Sequence, residues 1–227
     1  FKQKTAYEIK ECDWSSDVCS SDLVMAHLGF KQFCVAGHDR GARAAYRMAL
    51  DHPDKVKKLA SFDVLPSHYI LTHINLQWAV NSFHWWFMAQ PYDLPEKLIA
   101  GHEDFYILRK LTTMGIGKGG FTKEALAEYA RCCTPENVHA VCEDYRANVS
   151  VDFEMDKADF EAGRKLECPV AVYWGALSHT EKFFSPYDAW PPYARNIVKM
   201  QPLQCGHYPA ELVPDTVFEQ LNALFAD

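Results

Sequence analysis

The chain has 227 residues, 48% of them hydrophobic, enough to bury the core of one domain or of one domain with an insertion. With 23 basic residues against 30 acidic ones, the formal net charge of −7 excludes a general attraction for nucleic acid or an anionic membrane. Any anion bound here has to be drawn by local arginines, against the sign of the whole.

Residues 1–22 set themselves apart. The stretch ECDWSSDVCSSDL has neither helical nor strand period, and it resembles a translated sequencing-adapter scar. This segment is expected to be a non-native, disordered leader, with the true protein beginning upstream of Val24. From Leu23 the pattern becomes regular. VMAHLG reads as a helix end closed by Gly29. KQFCVAGHD is a short apolar run of the kind a buried parallel strand shows. RGARAAYRMALDHPDKV is helical and stops at His52-Pro53, and KLASFDVL is a second strand, which completes a βαβ unit. A helix-rich aromatic stretch runs from Ser67 to about Lys165. CPVAVYWGA is a third strand, PYDAWPPYA a helical crossover, IVKMQPLQCGHY a fourth strand with its exit, and PDTVFEQLNALFAD a closing helix. The pattern predicts an α/β three-layer core with a mostly parallel sheet, incomplete on its N-terminal side, and a helical cap insertion. The expected divisions are leader 1–22, core 23–66, cap 67–165 and core again 166–227.

GHDRG, residues 37–41, is the turn between the first strand and its helix. A G-x-nucleophile-x-G turn there is a nucleophile elbow, tight enough to strain the central residue and to demand small neighbours. Asp39 then projects above the strand's end beside a helix N-terminus that favours its ionised form. An ionised Asp attacks an alkyl carbon, where a serine elbow suits acyl carbon. On this motif alone, an ordinary Asp N-cap in a Gly-rich turn remains the alternative. Hydrolysing the resulting ester needs a base, which His207 in LQCGHYPAE can supply, and Asp63 in SFDVLPS can orient that base. The order Asp39, Asp63, His207 fits an α/β-hydrolase triad.

GHDRGAR, RMALDHPDKV, FDVLP, SFHWWFMAQPYDLPEKLI, CEDYRA and CGHYPAEL together resemble the fluoroacetate (haloacetate) dehalogenases, over residues 24–227. The resemblance implies hydrolytic dehalogenation of short 2-haloacids such as fluoroacetate or chloroacetate. Related haloalkane dehalogenases and epoxide hydrolases usually carry Trp at the position of Arg40. Arg40 and Arg43 lie about one turn apart, so both can grip a substrate carboxylate and set its α-carbon against Asp39. Arg47, a turn further on, reads as structural. By the resemblance, His84, Trp85 and Tyr145 converge on the departing halide, while Trp86 and Phe87 pack the cap. The Arg40 backbone N–H would be one oxyanion-hole donor, and the loop expected to carry the other is missing from the sequence.

The partners implied are a small anionic haloacid and water, with no nucleic acid and no membrane. A homodimer stays open. Eight cysteines without a CxxC pair read as reduced thiols, and ten histidines without HExxH or a close Cys/His cluster predict no metal. No cofactor is expected. No run of about 18 apolar residues occurs, and the first residues lack a signal-peptide core, so a cytoplasmic location is expected. Two other functions fit less well. An epoxide hydrolase would use cap tyrosines among Tyr92, Tyr106 and Tyr145, but has no need of Arg40. A non-catalytic carboxylate-binding protein has no use for a nucleophile and a base.

Overall fold

The strand signals become four parallel strands: β1 (Phe33–His38), β2 (Val56–Phe62), β3 (Val170–Gly175) and β4 (Ile197–Leu203). In this computed structural model, which describes residues 23–113 and 120–226, they pair side by side in the order β1-β2-β3-β4. The expected leader, 1–22, lies outside the described residues.

Alternation along the strands separates two cores. Leu59, Val170, Val172 and Trp174 face one side, where Ala42, Ala45, Met48 and Ala49 of the elbow helix (Arg40–Asp51) cover them. Ala60, Phe62, Ala171 and Tyr173 face the other, against Val217, Leu221 and Leu224 of the closing helix (Pro214–Phe225). A strand buried on both faces has to be apolar at successive positions, and β3 is buried throughout. This is the three-layer α/β arrangement. β1 is different: among the described residues only β2 pairs with it, and Ala36 in its middle is exposed.

Local signals are realised closely. Gly29 takes φ 85°, with Gly29 N–H donating to Ala26 O and Phe30 N–H to Met25 O, a Schellman close to the helix before β1. The elbow helix ends at Asp51, ahead of His52-Pro53. β2 stops three residues earlier than the apolar run to Leu65 suggests, because Asp63 turns out of the sheet at φ 48°. Val64 and Leu65 are buried beyond it as the floor of the site.

Between β2 and β3 the described chain is helical, from Ser67–Thr72 to Val151–Glu161. Trp78, Trp85, Met88, Val138 and Tyr145 of this insertion are continuous with the first core. Arg47, fully buried, ties the elbow helix to helix Val151–Glu161. Its guanidinium meets Asp51, Asp159 at 2.6 Å and Asp156 at 3.5 Å, and the neighbouring Tyr46 hydroxyl donates to Asp156 at 2.6 Å. Arg47 is therefore structural, as read. No described helix is long and apolar enough to cross a membrane.

Candidate active site

Asp39 sits in the elbow at φ 50°, ψ −122°, and its side chain makes no cap hydrogen bond to the helix behind it. The N-cap alternative thus fails: the backbone carbonyl of Asp39 accepts from Ala42 and Arg43 N–H, and the carboxylate is left to point elsewhere. Gly37 permits the turn, since a Cβ there would lie 2.5 Å from Ala42 Cα and from Gly41 O. Gly41 does not share that constraint; a Cβ on it meets nothing within 4 Å among the described residues.

His207 lies between two carboxylates. Its Nε2 is 3.0 Å from Asp39 Oδ2 and its Nδ1 is 2.6 Å from Asp63 Oδ2. Asp63, 3% exposed, is fixed in turn by Gly175 N–H at 2.9 Å and by the Ser178 hydroxyl at 2.7 Å, both donating to Oδ1. Gly175 is needed twice over, because a side chain there would strike the carbonyl oxygens of Cys205 and Gly206 that lead into His207. Burial alone would lower the His207 pKa, but Asp39 and then Asp63 outweigh it and push it up to about 10. Burial likewise opposes ionisation of Asp39, and His207 overcomes it, holding the carboxyl well below its ordinary range. The resting pair is imidazolium and carboxylate.

Asp39, Asp63 and His207 open on a cavity of about 50 Å3, whose wall also contains Arg43, His84, Trp85, Ser82 and His179. A water needs roughly 10–15 Å3 on this measure, so the cavity holds roughly three to five heavy atoms. Arg43 is 3% exposed, donates from Nη1 to Ser67 Oγ, and lies 4.7 Å over the Trp85 ring. Burial and then Arg40 lower its pKa to about 10, which leaves it charged at neutral pH. Burial, followed by Lys110, lowers the His84 pKa well below its ordinary value, so His84 is a neutral imidazole.

A curated relative, the fluoroacetate dehalogenase of Burkholderia sp, is 35% identical over 206 residues, covering 90% of this chain and 67% of that protein. The chain belongs to the α/β-hydrolase family. The family description "alpha/beta hydrolase fold" matches residues 11–118, and the chain is haloacetate-dehalogenase-like in sequence. The soluble epoxide hydrolase of Corynebacterium sp. is 29% identical over 89% of this chain and 70% of its own length. Among solved structures, a provisionally assigned α/β hydrolase from Nostoc sp PCC 7120 superposes with a TM-score of 0.89 at 37% identity, covering 93% of this chain and 72% of that one.

Of the residues singled out by sequence, five besides Asp63 meet at the cavity: Asp39, His207, Arg43, His84 and Trp85. Arg40 and Tyr145 do not line it. Arg40 turns toward helix Pro135–Asn148, where its Nε pairs with the Asp144 carboxylate and its Nη2 donates to Asp144 O at 2.8 Å. Its guanidinium lies 4.7 Å over the Tyr145 ring, and the Tyr145 hydroxyl accepts from Lys110 at 3.3 Å. Sequence reading passed over Ser178, Gly175 and His179. Their signal is the turn GALSH directly after β3, where Ser178 both caps the next helix and donates to Asp63. Among the described residues, Glu96, His139 and Glu143 have ligand-like spacing, but Arg146 already bridges the two glutamates.

Proposed function

We propose that this site hydrolyses short 2-haloacids by displacement at carbon. Asp39 Oδ attacks the halogen-bearing α-carbon; the new C–O bond forms as the carbon–halogen bond breaks, and halide leaves with the electron pair. The Asp39 ester is then attacked at its carbonyl carbon by water, whose proton passes to His207 Nε2. The adduct collapses with cleavage of its C–O bond to the substrate; the departing alkoxide takes the remaining water proton, so the 2-hydroxyacid leaves, Asp39 is a carboxylate again and His207 is protonated. Arg43, on the cavity wall, holds the substrate carboxylate, with Arg40 contributing through its field or after leaving Asp144. His84 and Trp85, on the cavity wall, would donate to the halide, and Tyr145 packs behind both rings. The helices over 67–165 act as the cap that supplies these groups.

The carrying observation is a buried guanidinium in the same small cavity as a nucleophile, base and orienting acid. The ion pair also orders the two steps. While Asp39 is ionised, His207 is held protonated and cannot act as a base. Esterification removes the Asp39 charge, the larger of the two carboxylate influences on the imidazole, so its pKa falls to what burial against Asp63 alone sets; His207 then releases its Nε2 proton to solvent and is a base once there is an ester to hydrolyse.

His207→Asn is expected to stall at the ester, seen as a mass increase on the peptide that contains Asp39, while Asp39→Asn abolishes turnover. Normal turnover by His207→Asn would sink the mechanism. The epoxide alternative raised by the cap tyrosines lacks support in the cavity, since no tyrosine among the described residues lines it. Turnover of neutral epoxides but not of haloacids would favour it instead.

A further inference from the structure

Arg43 is held by a short file of polar side chains. Its Nη1 donates to Ser67 Oγ, and the Ser67 hydroxyl donates in turn to Asn148 Oδ1 at 3.3 Å. Ser67 opens the first helix of the insertion, Asn148 closes helix Pro135–Asn148, and Arg43 rides on the elbow helix. Three elements distant in sequence therefore meet at one contact. Ser67 and Asn148 are both 0% exposed, in a position where an apolar pair would pack without the cost of burying polar atoms. Asn148 Nδ2 has no acceptor among the described residues, so the asparagine is not there to satisfy itself.

The chemistry of the file differs from that beside the other arginine. The Nε of Arg40 is met by a carboxylate, that of Asp144, which compensates its charge. The file behind Arg43 consists of a hydroxyl and an amide, which direct a guanidinium without carrying charge. We propose that Ser67 and Asn148 are positioning residues for Arg43: an uncharged relay that fixes it in the cavity wall without adding a further carboxylate to Asp39 and Asp156, whose charges already act on it. This rests on reading Arg43 as the carboxylate-binding residue.

Asn148→Asp tests the relay with nearly no change of shape. It places a carboxylate behind the Ser67 hydroxyl, where it competes with the substrate for Arg43. Chloroacetate KM is expected to rise about ten-fold or more, with kcat little changed. The kcat/KM for chloroacetamide, the neutral analogue, should stay as in the wild type, both rates being halide release above the Asp39→Asn background. Ser67→Ala should shift the same preference in the same direction by less, and it carries the test should Asn148→Asp not fold. Acetate affinity by titration calorimetry gives a second readout independent of turnover, and it should fall in both variants. Folded Asn148→Asp and Ser67→Ala proteins with wild-type preference and acetate affinity, beside an Arg43→Leu protein that has lost both, would overturn the relay alone. An Arg43→Leu protein that keeps both would overturn the relay together with the reading of Arg43.

Discussion

His207 has two carboxylate neighbours and can share its proton with only one at a time as a base. The pH dependence of the pair follows from the directions of the shifts. The raised His207 pKa contributes stability that is fully present below its ordinary 6.5 and is lost as the pH rises through about 10. The lowered Asp39 pKa contributes stability present above its ordinary 3.8 and lost as the pH falls through its folded value. Asp39→Asn, a neutral mimic of the ester, removes the leading contribution that raises His207. Its imidazole pKa, followed by NMR, should drop by more than about one unit, and the alkaline loss of melting temperature should begin at lower pH. An unchanged imidazole titration would mean that Asp39 is not what holds the proton. The two arginines should also separate. Arg43→Leu should cost haloacetate turnover roughly 10- to 150-fold, the worth of a charge-assisted contact, and Arg40→Leu distinctly less, because Arg40 is anchored on Asp144. The Asp39–His207–Asp63 arrangement was legible because each member stands at a strand end or beside a turn glycine. The partner of Arg40 was not, because Asp144 lies 104 residues away and the face that helix turns inward is settled by packing.

At the scale of elements, the same glycine spacing that reveals the elbow overstates its second glycine. Gly37 and Gly175 are steric necessities, one against the elbow helix and one against the loop that carries His207. Gly41 is a helical residue facing open space among the described residues. Gly41→Ala should therefore stabilise the protein by about 0.5–1 kcal/mol through helix propensity. Gly175→Ala should destabilise by about 1–3 kcal/mol through overpacking and lose more activity than stability, since the displaced loop is the one that aims the base. Urea denaturation beside halide-release rates measures both; a destabilised Gly41→Ala would show a constraint on the turn that its surroundings do not display. Strand and helix signals located the four strands, the elbow helix and the closing helix, since a period of two or 3.6 is local information, but not the helices His179–Phe183 and Pro209–Leu212, too short to show a period. The same signals placed the end of β2 late because Val64 and Leu65 are apolar for the sake of the site floor, not of the sheet. Arg47 illustrates the converse. A charged residue on an apolar helix face reads as structural, but its partners Asp156 and Asp159 lie across the insertion and needed the fold to be seen.

At the scale of the molecule, the proposed function sets two electrostatic effects of opposite sign against each other for an anionic substrate. The net charge of −7 would repel it at long range, and Arg43 on the cavity wall would attract it at short range. Salt distinguishes them, because the Debye length shrinks from about 30 Å at 0.01 M to about 8 Å at 0.15 M. Interactions between exposed charges and an approaching anion are screened over that range, whereas the buried contact is screened much less. If the whole-molecule field governs approach, kcat/KM for chloroacetate should rise as the salt is increased, and that for chloroacetamide should stay flat. The salt should carry a bulky sulfonate anion, too large for a cavity of about 50 Å3, so that it screens without competing at the site. Arg109 and Lys110 complicate the balance. They line a neighbouring cavity of about 370 Å3 that shares His84 and His179 with the first, so their charges stand near the candidate site. A fall in kcat/KM with salt would show that this local basic group, not the net charge, sets the potential met by the incoming anion. Arg109→Gln should then reverse the slope without altering kcat, since Arg109 lines the neighbouring cavity and not that of Asp39. A flat response for both substrates would mean that neither field reaches the anion before Arg43 does, leaving the short-range contact as the whole of the charge selectivity.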